Sequence, residues 1–89
     1  MKYEIYFTPT FKKKLKAFLK KHPELEKEIE KKLEILISDP FHPILKIHKL
    51  SGRLKNEWSI WLTYEYRILF IIEGNKIFLT NIGAHEEIY

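Results

Sequence analysis

Residues 2–7 alternate, with Tyr3, Ile5 and Phe7 against Lys2, Glu4 and Tyr6, the two-residue period of a β-strand. Thr8-Pro9 then reads as a helix start, with threonine as the N-cap and proline in the first helical position. Phe11, Leu15, Phe18 and Leu19 recur at helical spacing and predict a first helix over about residues 9–20. Lys21-His22 forms the turn, and Pro23 restarts a helix that runs to about Ser38. Its apolar stripe is Leu25, Ile29, Leu33, Leu36 and Ile37. Glu24, Glu26 and Glu28 suit the positive end of that helix, and Glu28 with Lys32 is a favourable i, i+4 pair. Neither helix is long enough to be stable in water alone, so the two are expected to pack as an antiparallel hairpin on a sheet.

The second half of the chain reads as strands. Asp39-Pro40-Phe41-His42-Pro43 is a loop fixed by two prolines, and residues 44–50 form an extended arm ending at the Ser51-Gly52 turn. Trp58, Ile60 and Leu62 alternate with Glu57, Ser59, Trp61 and Thr63, which predicts a strand over about residues 54–62. Tyr64–Ile72 is the longest apolar, β-branched and aromatic run, with apolar residues at both parities, as befits an interior strand. Glu73-Gly74-Asn75 is a tight turn. Lys76–Ile82 is the last strand, with Ile77, Leu79 and Asn81 on one side and Phe78, Thr80 and Ile82 on the other. Gly83 ends it, and residues 84–89 form a short tail. The order β-α-α-β-β-β makes residues 1–89 one α+β domain, with an antiparallel-rich sheet and the helical hairpin on one face. The other face is left partly open, lined by Glu57, Ser59, Trp61, Glu65 and Arg67, with the tail bringing His85 and Tyr89 to its edge.

Arg67 is the conspicuous residue of the central run. A permanent charge on an interior strand is costly unless a carboxylate or a bound phosphate compensates it. Glu65, two residues away, shares its face in a regular strand and has two readings, catalytic base or counter-ion.

Charge and composition narrow the chemistry. The net charge is +4 and the isoelectric point about 9.3, which favours anionic partners. Lys12, Lys13, Lys14, Lys16, Lys20 and Lys21 crowd one segment, either as a solvated helix face or as a footprint for a phosphate backbone. With no cysteine, disulfides, thiolate metal sites and a cysteine nucleophile are excluded, and a reducing cytoplasm is compatible. No apolar run approaches the roughly 18 residues of a spanning helix, and the N-terminus reads as a strand, not as a signal peptide. The histidines lack metal-ligand spacing, so no metal or other cofactor is expected; the serines lie in no nucleophile elbow, and the glycines build no phosphate loop. What remains is metal-free acid–base chemistry on RNA, which needs a base for the 2′-hydroxyl, an acid for the leaving oxygen and a cation at the phosphorane. His48, Glu65, Arg67 and His85 supply those types, and Trp61 and Tyr89 can stack on bases.

The segments His48-Lys49-Leu50-Ser51-Gly52, Trp58-Ser59-Ile60, Tyr66-Arg67-Ile68-Leu69-Phe70 and Ile82-Gly83-Ala84-His85, with the terminal Tyr89, resemble the RelE superfamily of type II toxins. The H-x-L-x-G segment, the acidic residue before the strand arginine and the G-x-H segment near a final aromatic are closest to its YafQ-like branch. The resemblance implies a RelE-like fold and a ribosome-dependent mRNA endonuclease neutralised by a cognate antitoxin in a hetero-oligomeric complex. It implies that His48 and Glu65 are active-site groups, either of them the base, that His85 is the general acid, that Arg67 stabilises the phosphate and that Tyr89 orients the substrate. Lys49, Arg53 and Lys55 are then substrate-binding cations beside Trp61, and Lys12, Lys13, Lys16 and Lys20 the contacts to ribosomal RNA. Trp61 departs from the branch, which usually has a histidine or another basic residue there. Two other readings are a ParE-like gyrase inhibitor of the same fold and a degenerate module that only binds its antitoxin.

Overall fold

A computed structural model describes residues 2–88. Strand β1 is Glu4–Phe7, and helix α1 is Pro9–Lys21. Thr8 caps α1: its hydroxyl accepts from the Phe11 N–H at 3.1 Å and donates to the Leu79 carbonyl at 2.7 Å, tying the helix start to the sheet. The second helix does not begin at Pro23. Pro23–Leu25 is a 3-10 turn, and α2 is Glu26–Ser38.

Residues 44–50 are more structured than a plain arm. A 3-10 turn at Pro43–Leu45 leads to a two-residue strand, β2, at His48–Lys49. Gly52–Leu54 is another 3-10 turn, so the next strand, β3, is only Trp58–Trp61 and not residues 54–62. Strand β4 is Tyr66–Glu73, which leaves Glu65 in the β3–β4 turn and off the strand. Strand β5 is Lys76–Ala84, and within the short tail that follows, His85–Ile88 forms a helical turn, α3.

The five strands form one sheet in the order β1-β5-β4-β3-β2, with β1 parallel to β5 and the rest antiparallel. The run with apolar residues at both parities is thus the middle strand. Ile60, Ile68, Phe70, Ile77, Leu79 and Ile82 face the helices and pack with Phe11, Phe18, Ile29, Leu36 and Leu45. Each such side chain, taken out of water, contributes about 1.5–3 kcal/mol.

Two features of β5 correct the reading of its sequence. Gly83 does not end the strand: Arg67 pairs with Gly83 and Tyr66 with Ala84. A Cβ at Gly83 would lie 3.1 Å from a methyl of Ile88, so glycine lets α3 fold back over the strand. In addition, Leu69 pairs with Asn81 while Phe70 pairs with Leu79, which makes Thr80 an extra, bulged residue. The bulge shifts the alternation by one. Ile82 therefore joins Ile77 and Leu79 in the core, and Asn81 goes to the open face, the reverse of what a regular strand predicts. No helix is long and apolar enough among the described residues to cross a membrane.

Candidate functional site

The open face is built in rows set by the register. One row is Trp61, Arg67 and Gly83, and the next is His48, Ser59, Leu69 and Asn81. Arg67 is 6% exposed. Its Nη1 donates to the carbonyls of Tyr64 at 2.7 Å, Thr63 at 2.9 Å and Tyr66 at 3.2 Å, all in or beside the β3–β4 turn. Its guanidinium carbon lies 4.2 Å from the centre of the Trp61 ring. Among the described residues no ion pair joins Arg67 to Glu65, so the counter-ion reading of Glu65 fails. Once Glu65 lies in the turn, the two residues no longer share a strand face. The Nε of Arg67 is buried with no hydrogen-bond partner among the described residues.

Further bonds hold this turn. The Thr63 hydroxyl accepts from the Glu65 and Tyr66 N–H groups, both at 3.3 Å. The Tyr66 hydroxyl meets His22 Nε2 at 3.2 Å, tying the start of β4 to the end of α1. The Glu65 carbonyl accepts from the His85 N–H at 3.0 Å, which fixes the start of α3 against the turn. Glu65, Arg67 and His85 thereby line one concavity of about 350 Å³, together with Trp61, Tyr64, Ala84 and Glu86.

The remaining candidates lie elsewhere. His48 is on the open face but lines a separate concavity with Lys49, Ser51 and Arg53. Two strands over and two residues along, it stands about 12 Å from Arg67 between Cα atoms. Lys49 pairs opposite Trp58, on the helix-side parity, and its ammonium lies 5.6 Å from that ring. Lys55 is exposed at the end of the Gly52–Leu54 turn. Lys12, Lys13, Lys16 and Lys20 are exposed on α1 and line no part of the Arg67 concavity. Lys14 and Lys21 instead border a hollow between α1 and α3, against Asn81, Gly83 and Glu87. Tyr89 lies outside the described residues. Among the described residues no group of three His, Cys, Asp or Glu side chains is placed to share a metal.

Residues 3–89 match the family model of YafQ, the bacterial toxin of a type II toxin–antitoxin system. The chain belongs to the YafQ toxin family. Its fold is that of solved relatives at low identity. YafQ from E. coli strain BL21(DE3) superposes with a TM-score of 0.84 at 16% identity, covering 98% of each chain. YafQ in the E. coli DinJ–YafQ toxin–antitoxin complex gives 0.82 at 15% identity, covering 100% of this chain and 99% of that one. A YoeB/ParE toxin from Agrobacterium tumefaciens gives 0.77 at 16% identity, covering 92% and 98%. No curated protein sequence matches the chain.

In this YafQ-family chain one aromatic residue of the concavity escaped the sequence reading. Tyr64 is 73% exposed at the tip of the β3–β4 turn, its ring 5.7 Å from that of Trp61. Trp61 is half-buried and already engaged by Arg67, by Tyr64 and by the Lys46 ammonium at 5.2 Å. The signal for Tyr64 lay in Thr63-Tyr64-Glu65 itself, a large aromatic in a polar turn. Merging Tyr64 with the apolar run of the strand concealed it.

Proposed function

We propose that this YafQ-family toxin is a ribosome-dependent endonuclease that cuts mRNA without a metal. The observation that carries the reading is Arg67, a buried cation with no carboxylate partner among the described residues, in one concavity with a carboxylate and an imidazole. Glu65 takes the proton of the 2′-hydroxyl, whose oxygen attacks the adjacent phosphorus. His85 gives a proton to the departing 5′-oxygen as its bond to phosphorus breaks, leaving a 2′,3′-cyclic phosphate. Arg67 offsets the charge gathered on the phosphorane from a site already held in place. Glu65 suits the role of base better than His48, because it shares the concavity with His85. His48 and Arg53 then line the path of the strand, and Tyr64 offers its ring to a base while Trp61 backs the arginine. Exposed lysines of α1 face ribosomal RNA phosphates. The chain acts in the cytoplasm and is held inactive by its own antitoxin, as the DinJ–YafQ complex suggests by analogy.

Cleavage mapped by primer extension in a purified translation system tests this. Wild type is expected to cut translated message and spare the same RNA without ribosomes. His85→Gln is expected to lose about 10²–10⁴-fold in rate. Intact cleavage in both His85→Gln and Arg67→Ala would refute the assignment, and inhibition of gyrase supercoiling without cleavage would favour the ParE-like reading.

A further inference from the structure

The open face holds a second and larger concavity, of about 500 Å³. Leu69 and Ile71 of β4 supply apolar surface, and Arg53, Glu57, Thr80 and Asn81 supply polar groups around it. Glu57 stands one residue before β3, one step beyond the Trp58–Phe70 pair, and so comes opposite Ile71. That is four residues from Arg67 along β4, or about 13 Å.

The carboxylate of Glu57 is not consumed by the fold. It is half-buried and lies in no ion pair among the described residues. It accepts a hydrogen bond from the hydroxyl of Thr80, the bulged residue, which holds it across β4. That bond uses one of about four lone-pair sites of the carboxylate. Asn81, next in the chain, accepts a hydrogen bond from the Ile82 N–H at its Oδ1, at 2.9 Å, which leaves the amide nitrogen as a donor. The site thus offers an acceptor pair beside a donor, over apolar surface, with a guanidinium on the rim. A carboxylate in this position disfavours a phosphate at the centre of the hollow. Among the four bases of RNA, guanine alone presents two adjacent donors, N1–H and the N2 amine, beside an acceptor, O6.

We propose that this concavity is a guanine subsite of the RNA path. Glu57 accepts from N1–H and the N2 amine, Asn81 donates to O6, and Arg53 holds a flanking phosphate. Ile71 packs on the face of the base, beside the buried Leu69. The subsite rests on the reading of the chain as an RNA-cutting enzyme, and its distance from Arg67 places the guanine about two splayed nucleotides from the scissile phosphate.

The test uses ribosomes programmed with messages that differ by one base within three nucleotides on either side of the cut. Cleavage rates are measured at subsaturating toxin for wild type and Glu57→Gln. Glutamine keeps an acceptor for Thr80 but cannot accept from two adjacent donors. At one position wild type is expected to cut guanine messages about tenfold faster than those with adenine, cytosine or uracil. Inosine, which lacks the N2 amine, is expected to fall between, and Glu57→Gln to level the bases at that position. Equal cleavage of every message by wild type, or an unchanged guanine preference in Glu57→Gln, overturns the subsite alone. A wild-type chain that cuts no message overturns the nuclease reading and the subsite with it.

Discussion

Each face of the sheet hides one cation, and the two are accommodated differently. On the helix side the ammonium of Lys32 donates to Glu28 at 2.8 Å and to the Leu62 carbonyl at 2.9 Å. On the open side Arg67 donates to three carbonyls and stacks on Trp61, yet meets no carboxylate among the described residues. Both residues are more than nine-tenths buried. Carbonyl dipoles and an aromatic face lower the cost of a buried charge without cancelling it, whereas a carboxylate does both. The covered face is therefore electrically complete, and the open face retains a positive centre suited to an anion. On the proposed reading, the contrast separates a cation that serves the fold from one that also receives the phosphate of the RNA.

The sharpest way to break this contrast is at Arg67. Arg67→Ala is expected to slow cleavage of translated message by 100-fold or more. Arg67→Lys keeps the charge but not the fork, and should recover only part of the rate. If Arg67→Met unfolded more easily in urea yet cut RNA at the wild-type rate, Arg67 would be structural like Lys32. Replacing Lys32 probes the other side. Lys32→Met leaves the Leu62 carbonyl without its partner and is expected to cost about 1–3 kcal/mol in urea unfolding, with the cleavage rate unaltered. Tyr64→Ala should raise KM about tenfold and leave kcat nearly unchanged, while Tyr64→Phe keeps the ring and the wild-type KM.

The smallest effect is on pH dependence. The hydrogen bond from Lys32 holds the Glu28 carboxyl below its ordinary range. A lowered pKa in the folded chain means that the unfolded chain binds the proton first. The stabilisation is complete above the ordinary glutamate value, about 4.3, and fades as the pH falls below it toward the lowered folded value. Urea midpoints taken across that window should fall less steeply in Lys32→Met than in wild type.

Much of this architecture was legible in the chain because it depends on side-chain pattern. The Thr8-Pro9 helix start, the two apolar stripes and the middle strand all follow from spacing and capping chemistry. Arg67 was legible as an anomaly, a charge within an apolar run. Its neighbours were not, because they are backbone carbonyls, and every residue carries one. The proximity of Glu65 in sequence pointed to an ion pair that the turn forbids. The Tyr64 ring was hidden by the opposite error, in which one aromatic was assigned to the strand it precedes. Strand β2 is two residues long and has no period to detect, so His48 was placed on the open face only by its pairing with Ser59.

The bulge at Thr80 also marks where the chain tolerates a change of length. Removing that residue would restore a regular strand, in which Leu79 and Ile82 still point inward and Asn81 still points outward. No core side chain would turn over, and the anchor of Glu57 alone would go. A deletion at this one codon edits the outer surface and leaves the interior as it was.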